Sequence, residues 1–276
     1  MEELKGKTAV VTGAASGIGK ALAAKACAEE MNVVLVDVEE GALAKTRDEL
    51  ASGAQNVIGM VADVSQPQTV DELAKKTLNA FGSVDLLFNN AGVGAGSTVW
   101  ESSLEDWTWV LGVNLWGVIH GIRTFVPIML KQNRPAHILN TASIAGLVRG
   151  HHSASYAVTK HAVVALTEQL ALEFERIKAP IKASVLCPSW VNTRINESER
   201  NRPKDLRNTT ISQPPTPEML KRWERLQEFV KQATPPGVIA DVVFDEGIRQ
   251  GRLYIVPHKE MAQYIRNRFD GIMKDI

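Results

Sequence analysis

The chain has 276 residues, enough for one large α/β domain with a buried core. Basic and acidic residues balance at 31 each, so no net field attracts nucleic acid or an anionic membrane. Cys27 and Cys187 are far apart in apolar contexts, which predicts no metal site and a reducing, cytoplasmic compartment. The start of the chain runs directly into a strand-like segment, and no 18 consecutive residues are apolar. We therefore expect a soluble protein.

Seven short apolar runs, rich in β-branched residues, alternate with helical patterns along the chain. The runs cover residues 8–12, 33–37, 57–62, 86–89, 137–141, 181–186 and 253–256. This alternation is typical of a parallel sheet flanked by helices with right-handed crossovers. The sequence predicts a single α/β domain over residues 1–276, built on a doubly wound, seven-stranded parallel sheet of the Rossmann type.

A glycine-rich loop, TGAASGIG at residues 12–19, joins the first predicted strand to an alanine-rich helix. Glycines allow close backbone approach to a ligand, and the helix N-terminus that follows offers free amides to a pyrophosphate. Asp37 ends the next strand, where a dinucleotide fold binds the ribose 2′-hydroxyl. The alternative is a structural glycine turn, with Asp37 starting an ordinary loop.

Asp37 also indicates which dinucleotide is bound. Its carboxylate would repel a 2′-phosphate, and neither Ser16 nor Val38 supplies an arginine to bind one. Lys20 is the only cation nearby in the sequence. We therefore expect NAD, with NADP the less favoured cofactor.

Tyr156 and Lys160 are four residues apart where a helical pattern begins, so both lie on one face of that helix. A lysine charge close to a tyrosine favours the phenolate, which predicts a Tyr156 pKa below the usual value of about 10. Tyr156 is thus a candidate proton donor and acceptor. The same spacing also occurs in ordinary amphipathic helices.

Several motifs in register give the chain a resemblance to the short-chain dehydrogenase/reductase family, from about residue 7 to 193 and again at the last strand. The motifs are TGAASGIG at 12–19, NNAG at 89–92, Asn114, Ser143, YAVTK at 156–160 and Pro188. The resemblance implies an NAD(P)-dependent alcohol dehydrogenase or ketone reductase. Its catalytic residues would be Asn114, Ser143, Tyr156 and Lys160.

The resemblance also implies a set of cofactor-binding residues. They are Gly13, Ser16, Gly17, Ile18, Gly19, Asp37, Asp63, Val64, Asn90, Ala91, Gly92, Tyr156, Lys160, Pro188, Val191 and Thr193. In the family, positions matching Asp63 and Val64 contact the adenine ring. Those matching Val191 and Thr193 contact the nicotinamide carboxamide.

Three of the matched positions leave an alternative open. Asp63 could cap the helix that follows Pro67. The Asn114 amide could be a satisfied core group, whereas the resemblance has it positioning a water beside the lysine. Ser189 follows Pro188 where the family usually has glycine, which leaves the local backbone undecided.

Two further segments bear on the substrate. Residues 194–236 are rich in charges and prolines, with one short helix near 217–232, and we expect them to cover the substrate as a lid. The loop before Tyr156 carries Arg149, His151 and His152, which either are solvated or place one histidine on the substrate. The tryptophans at 100, 107, 109 and 116 are expected in core and subunit-interface packing.

Apolar residues around Leu147, Val148 and Trp190 favour a hydrophobic or aromatic secondary alcohol as substrate. The expected partners are thus a small-molecule alcohol or ketone, with no nucleic acid and no membrane. The resemblance adds a homo-oligomer, a dimer or tetramer. Two other functions compete: an NADP-dependent ketone reductase, and a catalytically idle dinucleotide-binding sensor.

Overall fold

The computed structural model describes residues 1, 3–51, 56–150, 153–208 and 216–276. Its seven strands are β1 (Thr8–Thr12), β2 (Asn32–Asp37), β3 (Val57–Val61), β4 (Leu86–Asn89), β5 (Ala136–Thr141), β6 (Ile181–Leu186) and β7 (Tyr254–Ile255). All pair in parallel in the order β3-β2-β1-β4-β5-β6-β7. The predicted doubly wound sheet is confirmed.

Helices cover both faces of this sheet. They are α1 (Gly17–Ala28), α2 (Glu40–Ala51), α3 (Pro67–Phe81), α4 (Leu104–Leu111), α5 (Gly117–Gln132), α6 (Ala154–Arg176), α7 (Pro217–Lys231), α8 (Pro236–Val242) and α9 (Ala262–Lys274). β1, β2 and β4 are mostly buried on both faces, because helices pack above and below them, whereas β3 is partly exposed. β1 and β4 are neighbours, so the strand order reverses between them and opens a crevice at their carboxyl ends.

A π-helical turn, Gly112–Trp116, joins α4 to α5, so residues 104–132 form one continuous helix. By length and composition alone this helix is long and apolar enough to cross a membrane. Its residues Val118, Phe125 and Met129 nevertheless pack into the core against the sheet. A core helix of a globular fold meets the same criterion.

A chain of buried amides links the strands that carry the site. Asn89 Nδ2 donates to Asn140 Oδ1 over 2.9 Å, and Asn140 Nδ2 donates to Thr167 Oγ1 over 3.0 Å. A Cβ built on Gly121 would lie 2.2 Å from Asn89 Oδ1, so only glycine lets α5 approach β4 this closely. β4, β5 and α6 are thereby fixed relative to one another.

Candidate active site

A cavity of about 600 Å³ runs along the carboxyl ends of the central strands. Of the residues that the sequence predicted for the site, all but Gly19 and Asn114 line it. Asp37 lies on its wall together with the glycine loop, and Tyr156, Lys160 and Ser143 lie on the wall formed by β5 and α6. The fold therefore brings residues from seven separate segments of the chain to one cleft.

The glycine loop is closely packed by the backbone around it. A Cβ on Gly13 would lie 2.9 Å from Ala91 Cα, and a Cβ on Gly19 would lie 2.0 Å from the Gly13 carbonyl oxygen. Gly19 thus serves the packing of α1 against its own loop rather than the wall of the cavity. Gly13 and Gly17 have positive φ angles of 67° and 55°, which favour glycine at both positions.

Asp37 is anchored at the end of β2. Its Oδ2 accepts a hydrogen bond from Ala15 N over 2.9 Å, and its Oδ1 accepts one from Glu39 N over 3.0 Å. These bonds tie the carboxylate to the glycine loop and hold it on the cavity wall. A ribose placed in the cavity would meet a negative charge whose position is already fixed.

Asp63 also lies on the cavity wall, and its alternative interpretation as a helix cap is wrong. The N-cap position of α3 is Gln66, whose side chain makes no capping hydrogen bond, and Asp63 Oδ1 accepts a hydrogen bond from Ser65 N over 2.9 Å. The loop after β4 is fixed to the end of β1, because Thr12 Oγ1 accepts hydrogen bonds from Asn90 N over 2.9 Å and from Ala91 N over 3.0 Å.

Lys160 is 3% exposed and donates a hydrogen bond from Nζ to the Thr141 carbonyl oxygen over 2.9 Å. Its Nζ lies 5.4 Å from the centroid of the Tyr156 ring. Burial lowers the pKa of Lys160 to about 8. The ammonium thus lies close to the Tyr156 ring and is hydrogen-bonded to the last residue of β5.

Burial raises the pKa of Tyr156, and a hydrogen bond with Ser143 offsets part of that rise. The predicted fall in the phenol pKa is therefore wrong. Lys160 bonds the Thr141 carbonyl instead of the phenol oxygen, so the lysine charge does not outweigh desolvation of the phenolate. The one-turn spacing nevertheless places Tyr156 and Lys160 side by side, as predicted.

Asn114 lies in the π-helical turn and is fully buried. Its Oδ1 accepts from Val93 N over 2.8 Å, and its Nδ2 donates to Val93 O over 2.9 Å and to Thr159 Oγ1 over 3.3 Å. The satisfied-amide interpretation therefore describes this side chain. Its role in positioning a water beside Lys160 stays a prediction.

The match to known protein families covers most of this chain. A model of the short chain dehydrogenase family matches residues 7–204. The chain belongs to the short-chain dehydrogenase family.

Similar proteins are dehydrogenases of this family. A CLA biosynthesis dehydrogenase/reductase of Lactiplantibacillus plantarum is 34% identical over 275 residues, covering 100% of this chain and 96% of the relative. A 1-deoxy-11-beta-hydroxypentalenate dehydrogenase of Streptomyces avermitilis is 39% identical over 76% of this chain and 77% of its own. The crystal structure of a Burkholderia phymatum short chain dehydrogenase/reductase in complex with NAD is 46% identical with a TM-score of 0.94, over 100% of this chain and 97% of that one.

The structure of this short-chain dehydrogenase also resolves the departure at Ser189. Ser189 has no positive φ angle, so a serine takes the place of the usual glycine without strain. Its N–H donates a 3.0 Å hydrogen bond to His258 Nδ1, a residue that the motifs did not indicate. His151 and His152, the histidines considered for the substrate, lie outside the described residues, and Arg149 is exposed.

Sequence reasoning also missed the side chains that reach the cavity from the predicted lid. Arg200 and Arg194 line the cavity and both face Glu39, at 2.6 Å and 3.7 Å. Lys20, the only cation near the glycine loop in the sequence, pairs with Glu49. The sequence signal for Arg200 was weak, because it lies 161 residues after its partner in an irregular segment.

Trp109 was expected only in packing. It is 3% exposed, yet it lines the cavity and stacks under the Arg202 guanidinium, whose Cζ lies 5.1 Å from the ring centroid. Trp100 and Trp116 are exposed. Helical spacing alone could not separate the inward tryptophan from its neighbours.

Proposed function

We propose that this dehydrogenase is NAD-dependent and interconverts a hydrophobic or aromatic secondary alcohol and the corresponding ketone. One observation carries the proposal: a single cavity joins the anchored carboxylate of Asp37 to the group formed by Ser143, Tyr156 and Lys160. The first feature suits a ribose with a free 2′-hydroxyl, and the second suits acid–base chemistry on an alcohol oxygen.

The residues of this chain fit NAD. Residues 16–18 line the cavity where α1 begins, and the amides of a helix N-terminus suit a pyrophosphate. Asp37 would hold the ribose hydroxyls, and Val191 and Thr193, which also line the cavity, would contact the nicotinamide carboxamide. The solved relative in complex with NAD supports this choice.

When bound, the cofactor supplies the hydride acceptor or donor. In oxidation, Tyr156 takes the hydroxyl proton of the substrate, and in reduction it returns that proton. Ser143 donates a hydrogen bond to the substrate oxygen, where negative charge develops. Lys160 provides a buried positive charge that favours the phenolate in the transition state, and Asn114 fixes the loop at Val93 above it.

The substrate class is supported by the wall of the cavity beyond Tyr156. This wall is apolar and aromatic, with side chains contributed by Trp109, Val113, Trp190, Trp223 and Leu226. Trp190 is held edge-on by Phe229 of α7, with ring centroids 5.6 Å apart. Such a wall favours a carbon-rich alcohol over a polyol.

An NADP-dependent ketone reductase is the second candidate, because Arg194 and Arg200 line the cavity on the side of Asp37. Glu39 forms ion pairs with both guanidinium groups and so competes with a 2′-phosphate for them, which favours NAD. A cytoplasmic location and a homo-oligomer, dimer or tetramer, belong to the same proposal and stay predictions.

The test is a screen of NADH formation with secondary alcohols, sterols and polyols, run in parallel with NADP. We expect turnover with NAD and apolar alcohols, and a preference for polyols or for NADP would contradict the respective part of the proposal. Tyr156→Phe should keep NAD binding and lose most turnover. Binding of NAD without turnover of any alcohol or ketone would identify an idle sensor instead.

A further inference from the structure

His258 follows β7, far in sequence from the catalytic motifs, yet its imidazole joins two segments of the active site. Its Nδ1 accepts a 3.0 Å hydrogen bond from Ser189 N, and its Nε2 lies 3.0 Å from Thr234 Oγ1. Ser189 belongs to the turn after β6 that lines the cavity, and Thr234 lies near the end of the predicted lid, residues 194–236. Both ring nitrogens are therefore used.

The turn that His258 holds is bonded directly to the segment that carries Ser143. The Pro188 carbonyl oxygen accepts a hydrogen bond from Ile144 N over 2.9 Å and lies 3.4 Å from Ser143 Oγ. Ser189 is the next residue, so a shift of its N–H moves the Pro188 carbonyl with it, since both belong to one planar peptide unit. The peptide unit that donates to His258 is therefore the same one whose carbonyl lies next to Ser143.

The other side of the imidazole braces the end of the same turn. Thr234 forms an isolated β-bridge with Val191, and its carbonyl oxygen accepts from Asn192 N over 3.0 Å. The Thr234 hydroxyl is the group that meets His258 Nε2. The His258 side chain therefore links Ser189, at the start of the 188–192 turn, to Thr234, which supports the end of that turn.

The partners also define the state of the ring. A backbone N–H can only donate, so His258 Nδ1 must be unprotonated to accept from Ser189. The proton of the neutral ring then lies on Nε2 and is donated to the Thr234 hydroxyl oxygen. A side chain of the same size without an acceptor at the Nδ1 position would leave the Ser189 N–H unpaired.

We propose that His258 is a positioning residue for the catalytic end of the site, fixing the 188–192 turn and, through the Pro188 carbonyl, the placement of Ser143. The inference rests on the proposed function, in which Ser143 binds the substrate oxygen. It assigns no contact between His258 and the substrate. Its effect is therefore expected on turnover more than on cofactor affinity.

The test compares His258→Phe, which keeps the ring volume but removes both hydrogen bonds, with His258→Asn, whose Oδ1 can take the place of Nδ1. For the Phe variant we expect kcat to fall about 10- to 100-fold, because a small displacement near the chemistry carries a penalty of that size. The Asn variant should recover most of this loss. NADH affinity, measured by fluorescence titration, should change far less than kcat in both.

A second readout does not depend on turnover. Hydrogen exchange of the Ser189 amide, followed in the protein without cofactor, should be faster in His258→Phe than in wild type and close to wild type in His258→Asn. Thr234→Val keeps the Ser189 contact and should give a smaller effect. Glu260→Gln, in the exposed turn two residues later, is the matched control and should change neither readout.

Unchanged kcat and unchanged Ser189 exchange in His258→Phe would overturn the inference, as would an Asn variant impaired as strongly as the Phe variant. Should wild type turn over no alcohol, the proposed function fails on its own. The exchange comparison then still decides whether His258 holds the turn.

Discussion

The guanidinium of Arg202 lies 2.7 Å from the carboxylate of Asp106, and both side chains are almost fully buried. Arg202 Nε also donates to the Leu206 carbonyl oxygen over 2.6 Å, so the guanidinium closes the turn formed by residues 202–206 of the predicted lid. Burial alone would raise the pKa of Asp106, but hydrogen bonds from Arg202, Ser103 N and Asn208 lower it. The Arg202–Asp106 ion pair thus attaches the predicted lid to α4, next to Trp109.

Arg202→Met should destabilise the protein by about 3–5 kcal/mol, because it leaves the Asp106 carboxylate buried without its partner. The measurement is the free energy of unfolding in urea. The double variant Asp106→Asn with Arg202→Met should regain part of the loss, since it buries no unpaired charge and Asn can still cap Ser103 N. A single variant within about 1 kcal/mol of wild type would contradict the structure at this position.

The glycine loop allows a matched pair of substitutions. Gly19→Ala places a Cβ 2.0 Å from the Gly13 carbonyl, a backbone atom that no side-chain rotation can move, so we expect a loss of about 1–3 kcal/mol. It should also weaken NAD binding. Gly41→Ala in α2 meets no atom within 4 Å among the residues that the structure describes and should stabilise by roughly 0.5–1 kcal/mol. Thermal unfolding of the two variants should therefore shift in opposite directions.

The parts of the fold and site that could be predicted from the sequence are those formed by residues that are contiguous or regularly spaced along the chain. The strands, the glycine loop and the Tyr156–Lys160 turn follow from periodicity and spacing. The contacts of Arg200 with Glu39 and of His258 with Ser189 join residues 161 and 69 positions apart, and no local pattern encodes them. The pKa of Tyr156 was predicted in the wrong direction because burial, which spacing does not reveal, outweighs the neighbouring charge.

The lid is fastened at the Asp37 side of the cavity as well. Glu39 Oε1 accepts from Arg200 over 2.6 Å and from Asn201 over 3.1 Å, with both charged partners about one-fifth exposed. Glu39→Ala should loosen this end and speed tryptic cleavage within residues 194–202 about fivefold, the equivalent of roughly 1 kcal/mol for a partly exposed pair.

The matched control for the lid is Glu197→Ala. Glu197 bonds Arg194 at 2.8 Å inside the lid, and among the described residues its side chain makes no link across the cavity, so its loss should leave cleavage nearly unchanged. Equal cleavage rates in the two variants would argue that the Glu39 contact does not hold the lid. The rates are followed by mass spectrometry of the intact and cleaved chain under native conditions.

The pH dependence of the two reaction directions should have opposite signs. Ketone reduction needs the Tyr156 proton and the Lys160 charge, and both are lost as pH rises. Since burial lowers the pKa of Lys160 to about 8, kcat/KM for reduction should decline above that pH, approaching about tenfold per unit. Alcohol oxidation needs the deprotonated phenol together with the Lys160 charge, so its kcat/KM should rise with pH up to about 8 and then level off. Profiles that run in parallel for the two directions would show that Tyr156 is not the proton-transfer group.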